Sequence, residues 1–467
     1  MRTFEYTNID IDDEFCNNLK TCGITQDTTE FLDGLDNYLE RLGLTDALKR
    51  GHKKITTQNF VGVIRYKKFQ LDILPKLLRK SEDEDVYKTV LPNLMFMLSY
   101  VKKLDIKTTN TGKLSESKNP FLEILIREFA QSLFNCLKRL TPKTYVKEED
   151  NLNYLRGKLK FNENIKYNCT NKAKFYCEFD EFSENNPLNQ LFLYVSTCLY
   201  NVSKDGKNKK ILKQIIDYFC DIKLIKFDKY KVQKIKLAKN QQMFEKSFNL
   251  AKMFVENSSV DLSKNKISNI TLLWDMNILF EEFIFQCLNR HTKLNPQYQK
   301  SRALLLETDS KHKYGRTYAD MYIEKDGKKV ILDTKYKMNS GKNGDFENTD
   351  VYQVMTYCLI HKSNKAVLIY PAEGVNGVNG VNGTNEVNEE NKVNNKNNDK
   401  FSDSTTYFLN TEYADKEKDE LCQNPDKDYE EAQKIISIKL DLKRELNKKI
   451  AEEIAKEIEN KIFPEKK

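Results

Sequence analysis

Residues 318–337 read YADMYIEKDGKKVILDTKYK, and this stretch decides the fold of the C-terminal part of the chain. Asp326-Gly327 is a strong hairpin signal, because a two-residue type I′ turn needs positive φ at both positions. When the residues that flank this turn are paired and the pairing is extended outward, Asp320 lies opposite Asp333. The stretch therefore predicts a β-hairpin with two carboxylates on one face.

The charges on this face indicate a chemistry. Cross-strand partners lie about 4.5–5.5 Å apart at Cβ, so two carboxylates repel each other unless a cation or a proton lies between them. Lys335, two residues beyond Asp333, shares the face, whereas Thr334 is predicted to point away. Paired carboxylates beside an ammonium suit a hard divalent cation that promotes phosphodiester hydrolysis, Mg²⁺ or, as the alternative, Mn²⁺. The alternative is a surface hairpin whose charges have no catalytic role.

A glutamate upstream of the hairpin is a candidate third acidic residue. The pattern predicts a helix over 272–289, on which Glu281 shares a face with Ile278 and Ile284. A carboxylate on an inner helix face needs a partner, and a metal site supplies one. The competing interpretation is a Glu at the edge of the buried face that reaches solvent.

A second helix, predicted over 350–361, follows the hairpin. Asp350 suits the N-cap position, and Gln353 and Tyr357 then share a face at i,i+4 spacing. Their polar groups could hydrogen-bond the site or a phosphate. Ordinary helix packing explains the same spacing.

Composition excludes several classes of protein. The net charge is +8, and this mild basic excess, taken as spread along the chain, does not by itself indicate nucleic-acid binding. Ten cysteines show no CxxC spacing and only four histidines are present, which makes a zinc site unfavourable. The N-terminus has no apolar signal region and no apolar run is long enough to cross a bilayer, so a cytoplasmic protein without membrane contact is expected.

The chain is predicted to be an α+β multidomain protein. We expect a β-rich region over 1–82, with a hairpin at 60–75, and a mainly helical central region over 83–257, less regular at 154–184. A polar boundary at 258–269 precedes an α/β domain over 270–467. Within that domain the Asn/Gly-rich run at 374–400 is predicted to be a disordered insertion. Strands at 366–370, 405–409 and 436–442 and a helix at 444–462 complete it.

The acidic pair and its surroundings resemble a known nuclease superfamily. Asp320, the triplet Asp333-Thr334-Lys335, the helix residue Glu281 and the later Gln353 and Tyr357 resemble the RecB-like branch of the PD-(D/E)xK nucleases. Ala319 stands where that superfamily usually has proline. Four further stretches, 61–76, 154–166, 177–190 and 276–284, resemble the McrC family in the right order. The resemblance runs from about residue 60 to residue 370.

The resemblance implies a function, a partner and residue roles. A McrC-type chain is the nuclease subunit of a modification-dependent restriction system, and it stimulates the hexameric AAA+ GTPase McrB, which recognises methylated cytosine. Asp320 and Asp333 would bind the metal ion, and Glu281 would be a second or outer ligand. Lys335 would act on the attacking water, with support from Gln353 and Tyr357. The N-terminal and central regions would contact the partner, and the C-terminal domain would cut DNA.

Two other functions are compatible with the same residues. The chain could be a non-catalytic activator of the GTPase with a silent nuclease fold, or the nuclease of a sequence-specific GTP-dependent system. It has no G-x-x-x-x-G-K-[ST] motif, so it is not expected to be the motor itself.

Overall fold

The computed structural model describes residues 1–78, 90–102, 120–261, 266–306, 313–337, 347–372, 402–408 and 434–464. The strands are β1 Arg2–Phe4, β2 Asn8–Asp10, β3 Leu48–Arg50, β4 Lys54–Thr57, β5 Phe60–Tyr66, β6 Phe69–Leu74, β7 Thr144–Leu152, β8 Lys158–Leu159, β9 Phe175–Ser183, β10 Ser258–Asp261, β11 Lys266–Asp275, β12 Gln297–Leu306, β13 Lys313–Lys325, β14 Lys328–Thr334, β15 Lys365–Pro371, β16 Ser402–Phe408 and β17 Lys434–Leu440. The helices are α1 Asp13–Thr21, α2 Thr28–Arg41, α3 Val90–Lys102, α4 Pro120–Leu137, α5 Phe161–Asn168, α6 Pro187–Val202, α7 Gly206–Tyr218, α8 Lys229–Gln233, α9 Glu245–Glu256, α10 Met276–His291, α11 Asn348–His361 and α12 Lys448–Ile462.

The first sheet is built around the predicted N-terminal hairpin. Tyr66 pairs with Phe69 across a two-residue turn, and Lys67 in that turn has φ 56°. The strand order is β1-β6-β5-β11-β10, with β1 parallel to β6 and the other pairs antiparallel. The hairpin prediction for 60–75 is confirmed.

The segment expected to separate two domains belongs to this sheet. β10 and β11 pair with each other, and β11 also pairs with β5. The described residues of the polar segment 258–269 are therefore strands of this sheet. The helix expected from residue 272 starts only at Met276, where the Asp275 side chain accepts a hydrogen bond from Asn277 N–H. Ile270 and Leu272 are buried and alternate along a strand that pairs with β5, where Ile270 lies opposite Arg65. Local sequence does not reveal a pairing over such a distance along the chain.

The central region is only partly helical. Helices α3 and α4 confirm the helical pattern on the described residues of 83–140, and helix α6 begins at Pro187. Residues 144–183, however, contain a three-stranded antiparallel sheet of order β7-β9-β8 together with the short helix α5, so the mainly helical description holds only outside this range. Gly157, with φ 68°, allows a tight approach there, since a Cβ would lie 2.4 Å from the Glu178 carbonyl oxygen.

The last sheet positions the candidate site. Its strand order is β12-β13-β14-β15-β17-β16, with β14, β15 and β17 parallel. Side chains alternate between two cores: Met321 and Leu332 lie in the large cluster that includes α10 and α12, whereas Tyr322 and Ile331 face α11. Asp333 continues the alternation of Ile331 and so belongs to the α11 side. Strict alternation does not reach Asp320, because its neighbour Ala319 also packs in the α11 cluster.

The predicted C-terminal elements are confirmed with small shifts. Strands β15, β16 and β17 match 366–370, 405–409 and 436–442, and the last helix starts at Lys448 rather than at residue 444, capped by the Asn447 side chain. The predicted disordered insertion at 374–400 lies outside the described residues. None of the described helices has the length and apolarity needed to cross a bilayer.

The proposed limits of the three regions remain a prediction. The largest hydrophobic cluster contains buried side chains from the N-terminal, central and C-terminal regions, for example Val61, Leu125 and Leu332. One core therefore connects the three regions in this structure.

Gly62 offers a test of the first sheet. Its φ is 137°, and a Cβ would lie 1.9 Å from the Leu272 carbonyl oxygen. Gly62→Ala should therefore lower the free energy of unfolding by about 3 kcal/mol or more, as expected for a strained backbone position. Gly206→Ala, at the start of α7 with no atom within 4 Å of the added Cβ, is the control. Urea unfolding measures both, and equal stabilities would contradict the close approach of β5 and β11.

Candidate active site

The hairpin that carries the acidic pair forms as predicted. Asp326 and Gly327 have φ 53° and 76°, as a type I′ turn requires. Lys325 pairs with Lys328, and the register continues to Met321 opposite Leu332. The pairing of the two strands ends there, and Asp320 and Asp333 are the next residues of the two strands. After burial, the charge of Asp320 is the largest cause that raises the pKa of Asp333, so the two carboxylates lie near each other where β14 ends.

Asp320 is held by the end of the neighbouring strand. Its Oδ2 accepts hydrogen bonds from the Thr334 backbone N–H at 2.7 Å and from the Thr334 hydroxyl at 2.9 Å. The prediction that Thr334 points away from this carboxylate is therefore wrong. Thr334 is the last residue of β14, where the ladder ends and the side chain can turn toward Asp320. Burial raises the pKa of Asp320, and the hydrogen bonds from Thr334 oppose that rise.

Asp333 is the most deeply buried acidic residue of the site. Its exposure is 0%, and neither carboxylate oxygen accepts a well-aligned hydrogen bond within the described part of the chain. Oδ2 lies 2.6 Å from Lys335 Nζ as an ion pair. Burial, followed by the charge of Asp320, raises the pKa of Asp333 to about 7. A second cation would satisfy the carboxylate that Lys335 alone leaves incompletely paired.

A polar chain extends from this ion pair to helix α11. Lys335 Nζ donates to Gln353 Oε1 at 3.0 Å, and Gln353 Nε2 donates to the Tyr357 hydroxyl at 2.7 Å. Burial favours the neutral amine, but the charge of Asp333 outweighs it and the pKa of Lys335 is raised. The structure thus brings these predicted residues together, with the lysine held as a cation.

Glu281 approaches the pair from α10. It is half-buried, and its Oε1 accepts a hydrogen bond from Gln299 Nε2 at 3.2 Å. Burial and then the charge of Asp320 raise the pKa of Glu281 to about 7. The inner face expected from Ile278 is not formed, since that side chain is 49% exposed, whereas Ile284 is fully buried. Glu281 therefore lies at the edge of the core and beside the site.

Sequence reasoning missed a buried charge cluster next to the lysine. The predicted N-cap role of Asp350 is wrong, because Glu347 is the N-cap of α11. Asp350 is instead buried in the first turn of that helix. Asp350 Oδ2 accepts from the Tyr370 hydroxyl at 2.8 Å and lies 2.9 Å from Lys337 Nζ. Alternation beyond Lys335 could have indicated Lys337, since it lies two residues further along the same strand direction.

The N-terminal region reaches the backbone of the site. Tyr336, the residue after Lys335, is 2% exposed and donates its hydroxyl to Glu5 Oε1 at 2.9 Å. Its ring packs 5.9 Å, centroid to centroid, from that of Phe280, the residue before Glu281. One buried tyrosine therefore contacts both the segment of the lysine and the helix of the glutamate.

The donor set fits a hard cation that keeps some water. Asp320 and Asp333 supply carboxylate oxygens, but no group of three acidic, cysteine or histidine side chains within the described ranges is arranged as a complete metal site. Mg²⁺ commonly uses one or two carboxylates and fills its other positions with water and substrate phosphate. The fold and the site together define an α/β protein with an acidic pair, one member of it fully buried, and a lysine at the end of a hairpin.

Comparison with known proteins identifies the family. The pattern of the McrBC 5-methylcytosine restriction system component family matches residues 55–371. The chain therefore belongs to that family, and the predicted McrC-type subunit is confirmed at this level. No curated protein matches the sequence.

Two solved structures are similar to this chain. One is the half-complex from a tetradecameric assembly of Thermococcus gammatolerans McrB AAA+ hexamers with bound McrC, with a TM-score of 0.63 at 18% identity, covering 99% of this chain and 100% of that chain. The other is the Thermococcus gammatolerans McrBC complex, with a TM-score of 0.47 at 22% identity, covering 62% and 87%. At this identity the first likeness shows a shared mixed α/β multidomain fold.

Asp333 should give the fold a pH dependence. The pKa of Asp333 is about 7 in the folded protein, against 3.8 for a free aspartate. As pH rises from about 4 to 7, the unfolded chain loses this proton before the folded protein does, so the free energy of unfolding falls. In EDTA, the free energy of unfolding of Asp333→Asn should therefore equal that of wild type near pH 4 and exceed it at pH 8 by on the order of 2–4 kcal/mol. Thermal unfolding across this range measures the difference, and parallel profiles would contradict the buried carboxylate.

Proposed function

We propose that this chain is the nuclease subunit of a 5-methylcytosine-dependent restriction system and hydrolyses DNA phosphodiester bonds with a divalent cation, Mg²⁺ or Mn²⁺. The observation that carries the proposal is the juxtaposition of Asp320 and Asp333, with Lys335 Nζ 2.6 Å from Asp333 Oδ2. Two neighbouring carboxylates in a largely buried site repel each other and destabilise a fold, whereas a metal-dependent phosphodiesterase needs them. Membership of the McrBC family supports the DNA substrate and the modification.

Each site residue has a role in this proposal. Asp320 and Asp333 hold the cation, and Glu281 is a second or outer ligand on the side of α10. A bound divalent ion would lower the pKa of its water and neutralise charge that develops on the phosphate. Lys335 orients the attacking water or stabilises that charge, and its hydrogen bond to Gln353 fixes the position of the ammonium.

The neighbouring charges keep the lysine cationic and in place. The Tyr357 hydroxyl is uncharged and accepts a hydrogen bond from Gln353, which completes the hydrogen-bonded chain that ends on Lys335. Lys337, two residues after Lys335, is itself paired with buried Asp350 and with Glu347, so Lys335 is the ammonium that we assign to the phosphate chemistry.

The proposed partner is an AAA+ GTPase of the McrB type. The similar solved assembly contains McrB AAA+ hexamers with bound McrC, and this chain contains no phosphate-binding loop of its own. We therefore assign the motor and the recognition of the modified base to the partner and strand cleavage to this chain.

Cleavage by matched variants tests the assignment. With the GTPase partner, GTP, Mg²⁺ and methylated duplex DNA, Asp333→Asn and Lys335→Ala should each lower the cleavage rate about 100-fold or more, since charge stabilisation of the transition state is lost. Asp326→Asn makes the same chemical change at the exposed turn of the same hairpin and should leave the rate unchanged.

The same assay separates cleavage from activation of the motor. GTP hydrolysis by the partner should be stimulated equally by wild type and by Asp333→Asn, because the acidic pair is assigned to DNA chemistry. Cleavage of DNA by either site variant at the wild-type rate would overturn the assignment. Stimulation of GTP hydrolysis by a wild-type chain that cuts no DNA with either metal would instead indicate a non-catalytic activator.

A further inference from the structure

Residues 204–239 hold the positive charge surplus of the whole chain. They contain twelve lysines, no arginine and four aspartates, a surplus of eight, and the net charge of all 467 residues is +8. The rest of the chain is therefore balanced as a group. The expectation that the basic excess is spread along the sequence is wrong, and we call residues 204–239 the lysine segment.

The first part of the lysine segment is helix α7, which exposes its charges on one side. Buried Leu212 and Ile215 define the side of α7 that packs against the protein. Lys207, Lys210 and Lys213 follow one another at i,i+3 spacing on the opposite side, and all three are exposed. The helix therefore presents a row of ammonium groups to solvent.

The charges continue beyond α7 through α8 and into the turn that follows it. The exposed lysines of this part are Lys223, Lys226, Lys229, Lys231, Lys234, Lys236 and Lys239. Two apolar side chains are exposed among them, Tyr230 at 67% and Leu224 at 54%. Lys234 Nζ lies 4.0 Å from the Tyr230 ring centroid, so the exposed aromatic ring lies against this charge.

Such a concentration of positive charge lowers the stability of the fold through electrostatic repulsion. Lysines three or four positions apart on a helix repel one another and destabilise it. Lys213 forms an ion pair with Asp217 at 2.8 Å, but four aspartates cannot neutralise twelve lysines. A polyanionic partner that binds across the surface would relieve the repulsion.

The chemistry of lysine indicates which polyanion fits. An ammonium is a point charge that contacts phosphate oxygens, whereas two-point recognition of base edges is typical of arginine, which the segment lacks. Phosphate contacts position a protein on a duplex without reading its sequence. We propose that the lysine segment is a second DNA-contacting surface, outside the candidate active site, that binds the phosphate backbone of duplex DNA. This inference rests on the proposed function only in taking DNA as the substrate.

Salt-dependent binding tests the surface without any cleavage. The full-length chain is titrated onto a fluorescent 40-base-pair duplex in EDTA at several KCl concentrations. Lys207, Lys210, Lys223 and Lys226 are changed together to Gln. If all four contact phosphates, the slope of log K against log [KCl] should become shallower by about 3.5, with affinity at 0.1 M KCl reduced about 10- to 100-fold.

A control variant removes the same number of charges elsewhere. Lys448, Lys449, Lys456 and Lys461 are exposed on α12, and changing them together to Gln alters the net charge by the same amount. This variant should keep the wild-type slope and affinity. Circular dichroism and thermal unfolding confirm that both variants are folded.

Each outcome decides the proposal. A shallower slope for the lysine-segment variant alone supports it. Absence of wild-type binding, unchanged binding by the lysine-segment variant, or an equal loss in the α12 variant overturns it. Unchanged DNA binding together with lost stimulation of the GTPase would overturn it in favour of a protein partner. Because EDTA excludes metal-dependent chemistry, a failed cleavage assignment would leave this measurement unaffected.

Discussion

The repulsion between the carboxylates of buried Asp333 and half-buried Asp320 is the constraint on which the candidate site depends. Asp320 and Asp333 are brought together by a β-turn that fixes the register of their strands, and burial raises the pKa of both. The fold compensates with one ammonium, from Lys335, and with the hydrogen bonds of Thr334. This leaves an arrangement that gains most from a further cation between the acidic groups, which is the property a metal-dependent hydrolase requires.

The parts of the fold and site that local sequence determines were predictable, and the parts that distant pairing determines were not. The turn at Asp326 fixed the hairpin register, and i,i+4 spacing on one helix placed Gln353 and Tyr357 together. Strand β11 was missed because its partner is β5, far away in sequence. Asp350 was assigned as a cap on local propensity alone, whereas its buried bond to Tyr370 depends on the packing of α11 against the sheet.

The site is connected to the rest of the molecule through its backbone. The hydroxyl of Tyr336 reaches Glu5 in the N-terminal region, and its ring contacts Phe280 on the helix of the glutamate. Glu5 is itself a buried carboxyl, and its burial raises its pKa to about 7. Packed side chains therefore connect the N-terminal region with the segment of the lysine and with the helix of the glutamate.

Anomalous diffraction from crystals grown with Mn²⁺ tests the central claim most directly, because it locates the ion without reference to activity. The account predicts one strong manganese peak within about 2.5 Å of carboxylate oxygens from both Asp320 and Asp333, and no peak at this position in crystals of Asp333→Asn. Manganese bound elsewhere, or a direct hydrogen bond between the two carboxyl groups with no ion present at pH 8, would contradict it.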